Sequence, residues 1–252
     1  MADDTKHTTH DTKSKSISTP FIEKYMTPIA ILLGLIIIAV AITFGHNVQP
    51  TTQPAAATSG QPAAVAVNIA NVKTTGEAYV GNANAPVTMA LFFDYQCPFC
   101  KQFDQTVLNQ LYTNYIATGK LKVVFKDFDF IGPDSTVGAE YGRAVWQAYP
   151  NSFYPWLTAM FAAQDEENTG FGDAPSIQKL TATIPGIDVT KVEQLVAQNQ
   201  AQYDSEITAD RNEGASYGIQ GTPSVIVGTT LLQGAQTYAT VSALVDAQLK
   251  AK

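Results

Sequence analysis

Two cysteines and three histidines are all that the 252 residues offer of the side chains that build zinc sites or thiol and imidazole catalysts. The histidines are His7, His10 and His46, so none falls in the part of the chain that reads as a folded domain. That absence excludes a Cys-His protease or acyltransferase, in which imidazole activates the thiol. Structural zinc needs four Cys or His ligands, so two cysteines exclude such a site within one chain, and neither metal nor cofactor is expected. Basic residues are scarce as well. The net charge is −7; residues 1–28 balance four Lys against four acids, leaving 11 basic and 18 acidic side chains for the rest. Nucleic acid is thereby a poor partner. No internal repeat or coiled-coil heptad is visible.

What is present falls into four stretches. Residues 1–24 hold a polar tail without apolar periodicity, expected to be disordered. Residues 25–45 contain the charge-free run "PIAILLGLIIIAVAITFG", about 20 residues and so enough for one bilayer crossing. Lys13, Lys15 and Lys24 precede it and no Lys or Arg follows before Lys73, which predicts a cytoplasmic N-terminus and an exported remainder. Ala39-Val40-Ala41 offers a small-x-small cleavage site, but it lies inside the run and the polar region before it is long, which favours a retained signal anchor in the cell membrane. Residues 46–64 lack charge and carry three prolines, the composition of a tether with a reach of about 25 Å as a coil and about 60 Å fully extended.

From 65 to 252 the pattern is that of an α/β domain. "VAVNI" alternates as a short strand over 65–69, and "APVTMALFFDY" is a compact apolar run suited to a buried central strand. Phe99, Phe103, Val107, Leu111 and Tyr115 recur in steps of four, predicting a helix that stops at Gly119. "KLKVVFKDF" reads as another strand. Residues 134–217 read as helical throughout, with Pro133 opening one helix, Pro150 closing it, and Thr190-x-x-Glu193 resembling a capping box. Two strands around a glycine in "TPSVIVGTTLLQGA" and a closing helix complete the chain.

The two cysteines sit together in "FFDYQCPFCKQF", directly after a strand. A Cys97–Cys100 staple would restrain the unfolded chain by only about 2 kcal/mol, so a purely structural disulfide is poorly placed here. A redox pair uses the whole setting. If a helix starts at Cys97, free backbone N–H groups and the dipole favour a thiolate there, and Pro98 fits a first turn that needs no N–H. Cys97 is then the attacking sulfur, and Cys100, one turn on and less exposed, the resolving one. Asp94 reads either as a proton relay or as a cap or solvated residue. Asp165-Glu166-Glu167 reads as a solvated loop without an EF-hand pattern. Trp146, Phe153, Tyr154, Trp156 and Phe161 fit either a substrate groove or core.

"GNANAPVTMALFFDYQCPFCKQF" and "YGIQGTPSVIVGTTLLQGAQTY" together resemble the two signature regions of bacterial DsbA-like thiol:disulfide oxidoreductases of the thioredoxin superfamily, including membrane-anchored forms. The resemblance spans about residues 65–250. It implies a thioredoxin fold with a helical insertion between the third strand and the cis-proline strand, preceded by one transmembrane helix. It also implies a cis Thr222-Pro223 peptide that positions substrate. The implied activity is an extracytoplasmic oxidase that introduces disulfides into exported proteins, reoxidised by a quinone-linked membrane thiol oxidase. A reductase or isomerase, or a redox-inert binding module or chaperone, remains an alternative reading. Pro98 and Phe99 are the expected tuning positions. Phe99 stands where such enzymes often carry His, which predicts a weaker oxidant than the most oxidising members.

Overall fold

A computed structural model describes residues 67–251; the predicted tail, membrane span and linker lie outside the described residues. Five strands form one sheet in the order β1-β3-β2-β4-β5, with β1 Tyr79–Val80, β2 Val87–Phe93, β3 Leu121–Asp127, β4 Ser224–Val227 and β5 Thr230–Gln233. Strands β2 and β3 run parallel, with Val87 opposite Leu121 and Phe93 opposite Asp127; β4 lies antiparallel on the other side of β2. A parallel pair needs a crossover, which the helical run after β2 supplies.

β2 is central because both its faces are apolar. Val87, Met89, Leu91 and Phe93 enter the larger core on one face, while Ala90 and Phe92 enter a smaller cluster with Val72, Phe128, Ile219 and Ile226 on the other. Full burial of a side chain such as Met89 or Phe92 stabilises the fold by about 1.5–3 kcal/mol.

The crossover begins as α1, Pro98–Phe103, and continues through two wide turns, Asp104–Leu108 and Tyr112–Ile116, separated by Asn109–Leu111. These turns explain the spacing of four in the sequence. On a helix of 3.6 residues per turn, apolar positions four apart drift by about 40° per step. Each wide turn closes over five residues, with Asn109 N donating to Asp104 O and Ala117 N to Tyr112 O, and so takes up that drift. Phe103, Val107 and Leu111 therefore remain buried in line. Gly119 ends the run at φ +74°, as expected.

Between β3 and β4 lie α2 Pro133–Ala148, α3 Pro150–Ala163, α4 Ala174–Thr181 and α5 Val189–Ser216, and α6 Tyr238–Lys250 closes the chain. This is the expected helical insertion with three corrections. Residues 164–173 form a loop, so the block is not helical throughout. Asp188, not Thr190, caps α5: its carboxylate accepts from Thr190 N at 3.0 Å. The strand expected over 65–69 is absent among the described residues; Ile69–Asn71 is instead a single 3-10 turn capped by the Asn68 side chain, and Ile69 N donates to Gly228 O at 2.7 Å. Val67 and Ile69 alternate because both pack against the smaller cluster, not because they pair in the sheet.

A buried charge network joins the sheet to the insertion. Lys126 is fully buried on β3, its Nζ 2.5 Å from Asp210, 3.0 Å from Glu213 and 3.3 Å from Glu77. Arg143 on α2 pairs with Asp127 and Asp210 at 2.8 Å and Glu206 at 2.9 Å. Burial opposes charge on Lys126, but these carboxylates outweigh it and raise its pKa. A cavity of about 330 Å³ adjoins the network, lined in part by Glu77, Tyr95, Asp127, Arg143 and Trp146.

Candidate active site

The carboxyl end of β2 turns sharply into α1. Asp94 makes the turn: its Oδ1 accepts from Gln96 N at 2.8 Å, and its Oδ2 accepts from Phe130 N at 3.0 Å and Ile131 N at 3.2 Å. Fully buried and occupied by three main-chain donors, Asp94 is a clamp that ties the loop after β3 to the loop after β2. Tyr95 lies under α2, where Gly138 and Gly142 leave room for its ring; a Cβ on Gly138 would stand 2.8 Å from Tyr95 Cβ.

Cys97 caps α1 and Pro98 occupies its first position, as the sequence predicts. Thr222-Pro223 is cis, and it brings Thr222, 125 residues away, to the cysteine: Cys97 Sγ donates to Thr222 O at 3.5 Å. The structure thus assembles Cys97, Cys100, Thr222 and Pro223, with Pro98 and Phe99 exposed at the rim and Phe99 at 58% accessibility. Pro223 and Cys100 line the same small cavity. Both cysteines are free thiols. The expected difference in exposure is not found, for Cys97 and Cys100 are 4% and 3% accessible.

Electrostatics separates the two sulfurs instead. Cys97 is brought from 9.0 down to about 6, chiefly by the hydrogen bond from the Cys100 thiol. Burial opposes that fall, while the Thr222 side chain and the N–H groups of Cys100 and Phe99 add to it. The Thr222 hydroxyl is buried with no other partner, so it is free to turn to the thiolate. Cys100 is pushed well above its ordinary range by burial first and then by Cys97. At neutral pH the pair is one thiolate beside one thiol.

Several neighbours were not legible in advance. Gln164, at the end of α3, donates from Nε2 to Tyr95 O at 2.8 Å and Cys97 O at 3.2 Å. Gln96 accepts from Asn168 N at 3.0 Å and donates to Phe171 O at 3.3 Å. Asp104, one helical turn past Cys100 and lining the same small cavity, is buried with Oδ1 unpartnered, and burial raises its carboxyl to about 6. No spacing in the sequence marks these three. Asp165-Glu166-Glu167 lies in the exposed loop, and no metal-holding cluster occurs among the described residues. Of the aromatic group, Phe153, Trp156 and Phe161 are core, and Trp146 and Tyr154 pack against it half-buried; Trp146 and Phe153 also line the cavity beside the buried charge network.

A thioredoxin-like α/β fold carrying a C-x-x-C pair at the amino end of a helix, beside a cis Thr-Pro peptide, defines a DsbA-like thiol:disulfide oxidoreductase. The chain belongs to the thioredoxin family, whose model matches residues 73–247. It is 25% identical over 202 residues to disulfide bond formation protein D of Bacillus subtilis, covering 80% of this chain and 86% of that one. Among solved structures, oxidised BdbD of Bacillus subtilis superposes with a TM-score of 0.66 at 24% identity, over 74% of this chain and 98% of that one. The thiol-disulfide exchange protein α-DsbA2 of Wolbachia pipientis superposes with a TM-score of 0.61 at 27% identity, over 69% and 87%.

Proposed function

We propose that the protein is a membrane-anchored oxidase that introduces disulfides into exported proteins through Cys97 and Cys100. A substrate thiolate attacks Cys97 Sγ of the Cys97–Cys100 disulfide, and Cys100 leaves and takes up a proton. A second substrate thiolate then attacks the substrate sulfur of the mixed disulfide, and Cys97 leaves as a thiolate. The substrate has lost two electrons and the enzyme holds a thiolate at Cys97 and a thiol at Cys100. Thr222 and Pro223 hold the substrate as an added extended strand beside Cys97. A quinone-linked thiol oxidase in the membrane removes the two electrons, and the Cys100 thiol gives up its proton as the disulfide re-forms. Residues 25–45 anchor the chain with its N-terminus in the cytoplasm, and residues 46–64 tether the 65–252 domain within reach of that partner.

One observation carries the reading: the two sulfurs are driven in opposite directions, Cys97 down to about 6 and Cys100 up. A stabilised thiolate stabilises the reduced pair, and a disulfide whose reduced form is stable is an oxidant. The kinship with a disulfide bond formation protein supports the same direction. The test is oxidative refolding of a reduced secreted protein. Cys97→Ser should abolish catalysis and Cys100→Ser should accumulate a mixed disulfide on Cys97; unchanged exchange by Cys97→Ser overturns the assignment.

A further inference from the structure

The main chain leading into α1 is held from outside by the loop that follows α3. Gln164 is 5% accessible and ends α3; its one NH2 group supplies both protons, to Tyr95 O at 2.8 Å and Cys97 O at 3.2 Å. The main-chain carbonyl of Gln164 accepts from Lys101 Nζ at 2.6 Å, one turn further along the active-site helix. Gln96, between the two bonded carbonyls, fastens to Asn168 N and Phe171 O of the same loop. Residues 95, 96, 97 and 101 are thus each bonded to the segment 164–171.

We propose that Gln164 is a positioning residue: by holding the carbonyl of Cys97 it fixes that residue's main chain and keeps its sulfur within reach of Thr222 and the helix N–H groups. The proposal rests on the reading of Cys97 as the reacting sulfur. Cys97 O accepts from Cys100 N at 3.0 Å and Lys101 N at 3.1 Å, bonds that any helix starting here would form. The bond from Gln164 links that carbonyl to the helical insertion, 67 residues away in sequence. It also adds a third donor to a carbonyl oxygen whose negative end lies near a thiolate. An amide meets both needs, since a carboxylate cannot donate and a thioether supplies no proton. Packing of the insertion thereby bears on how readily the pair gives up its disulfide.

The experiment uses the full chain with Gln164→Met and Gln164→Glu, reading the thiolate titration of Cys97 at 240 nm, the equilibrium with glutathione, and the thermal melt. Gln164→Met should raise the titration midpoint and make the pair about tenfold less oxidising, about 30 mV. Gln164→Glu should shift both further, because a carboxylate then faces two carbonyl oxygens. A role confined to stability predicts a lower melt with midpoint and equilibrium unmoved, and that result in Gln164→Met overturns the proposal. Should Gln164→Met not fold, Lys101→Met frees the Gln164 carbonyl, and unmoved values there and in Gln164→Glu overturn it equally. The two readings fail differently. A wild-type pair that does not exchange with glutathione counts against the oxidase, whereas wild-type exchange with indifferent Gln164 variants counts only against the positioning role.

Discussion

Replacing Cys100 tests why Cys97 titrates at about 6, because the hydrogen bond from the Cys100 thiol is the largest cause of that fall. A hydrogen bond to a charged acceptor contributes about 1.5–3 kcal/mol, and one pKa unit is about 1.4 kcal/mol, so removing the donor should move Cys97 up by about 1–2 units. At pH 7 its thiolate fraction would drop from about 90% to between about 10% and 50%. Cys100→Ala removes the donor, whereas Cys100→Ser retains an O–H in nearly the same place. Each variant leaves Cys97 as the one cysteine in the chain, so absorbance at 240 nm and alkylation rate against pH report it directly. The Ala variant should titrate between about 7 and 8 and the Ser variant near 6. If both titrate at the wild-type midpoint, or both rise equally, the donor is not the cause and the reasoning fails.

Two further predictions address the supporting structure. Lys126→Met leaves Glu77, Asp210 and Glu213 without their shared cation and should cost about 3–5 kcal/mol in urea unfolding, with part recovered by adding Asp210→Asn; a loss under about 1 kcal/mol would show the lysine to be dispensable. Asp104 has a raised carboxyl, so the folded state binds its proton more tightly than the unfolded state, and the stability linked to it is lost as pH rises from about 4 to about 6. Asp104→Asn lacks that titration, so its stability relative to wild type should climb by up to about 3 kcal/mol over that window; parallel pH profiles would contradict the burial argument.

How much could be read in advance followed from how local each feature is. β2, β3, β4 and β5 were legible because their apolar runs are contiguous, and α1 because its start is written in Cys97-Pro98. The Val67–Ile69 alternation misled, since two apolar residues packed on a cluster look the same as two residues of a strand. Thr190 misled as a cap because Asp188, two residues earlier, reaches the same N–H group. Equal burial of the two cysteines was invisible, for it depends on the cis Thr222-Pro223 loop closing over Cys97. Gln164 and Lys126 could not be found from sequence: each acts across more than 50 residues, and neither sits in a pattern.

The most direct test of the oxidase reading is the reduction potential of the Cys97–Cys100 pair, equilibrated against glutathione. The account predicts a value between about −180 and −120 mV: oxidising because Cys97 is held as a thiolate, yet short of the strongest oxidants because Phe99 supplies no imidazole. A value near −270 mV would contradict it and mark the protein as a reductase supplied with electrons.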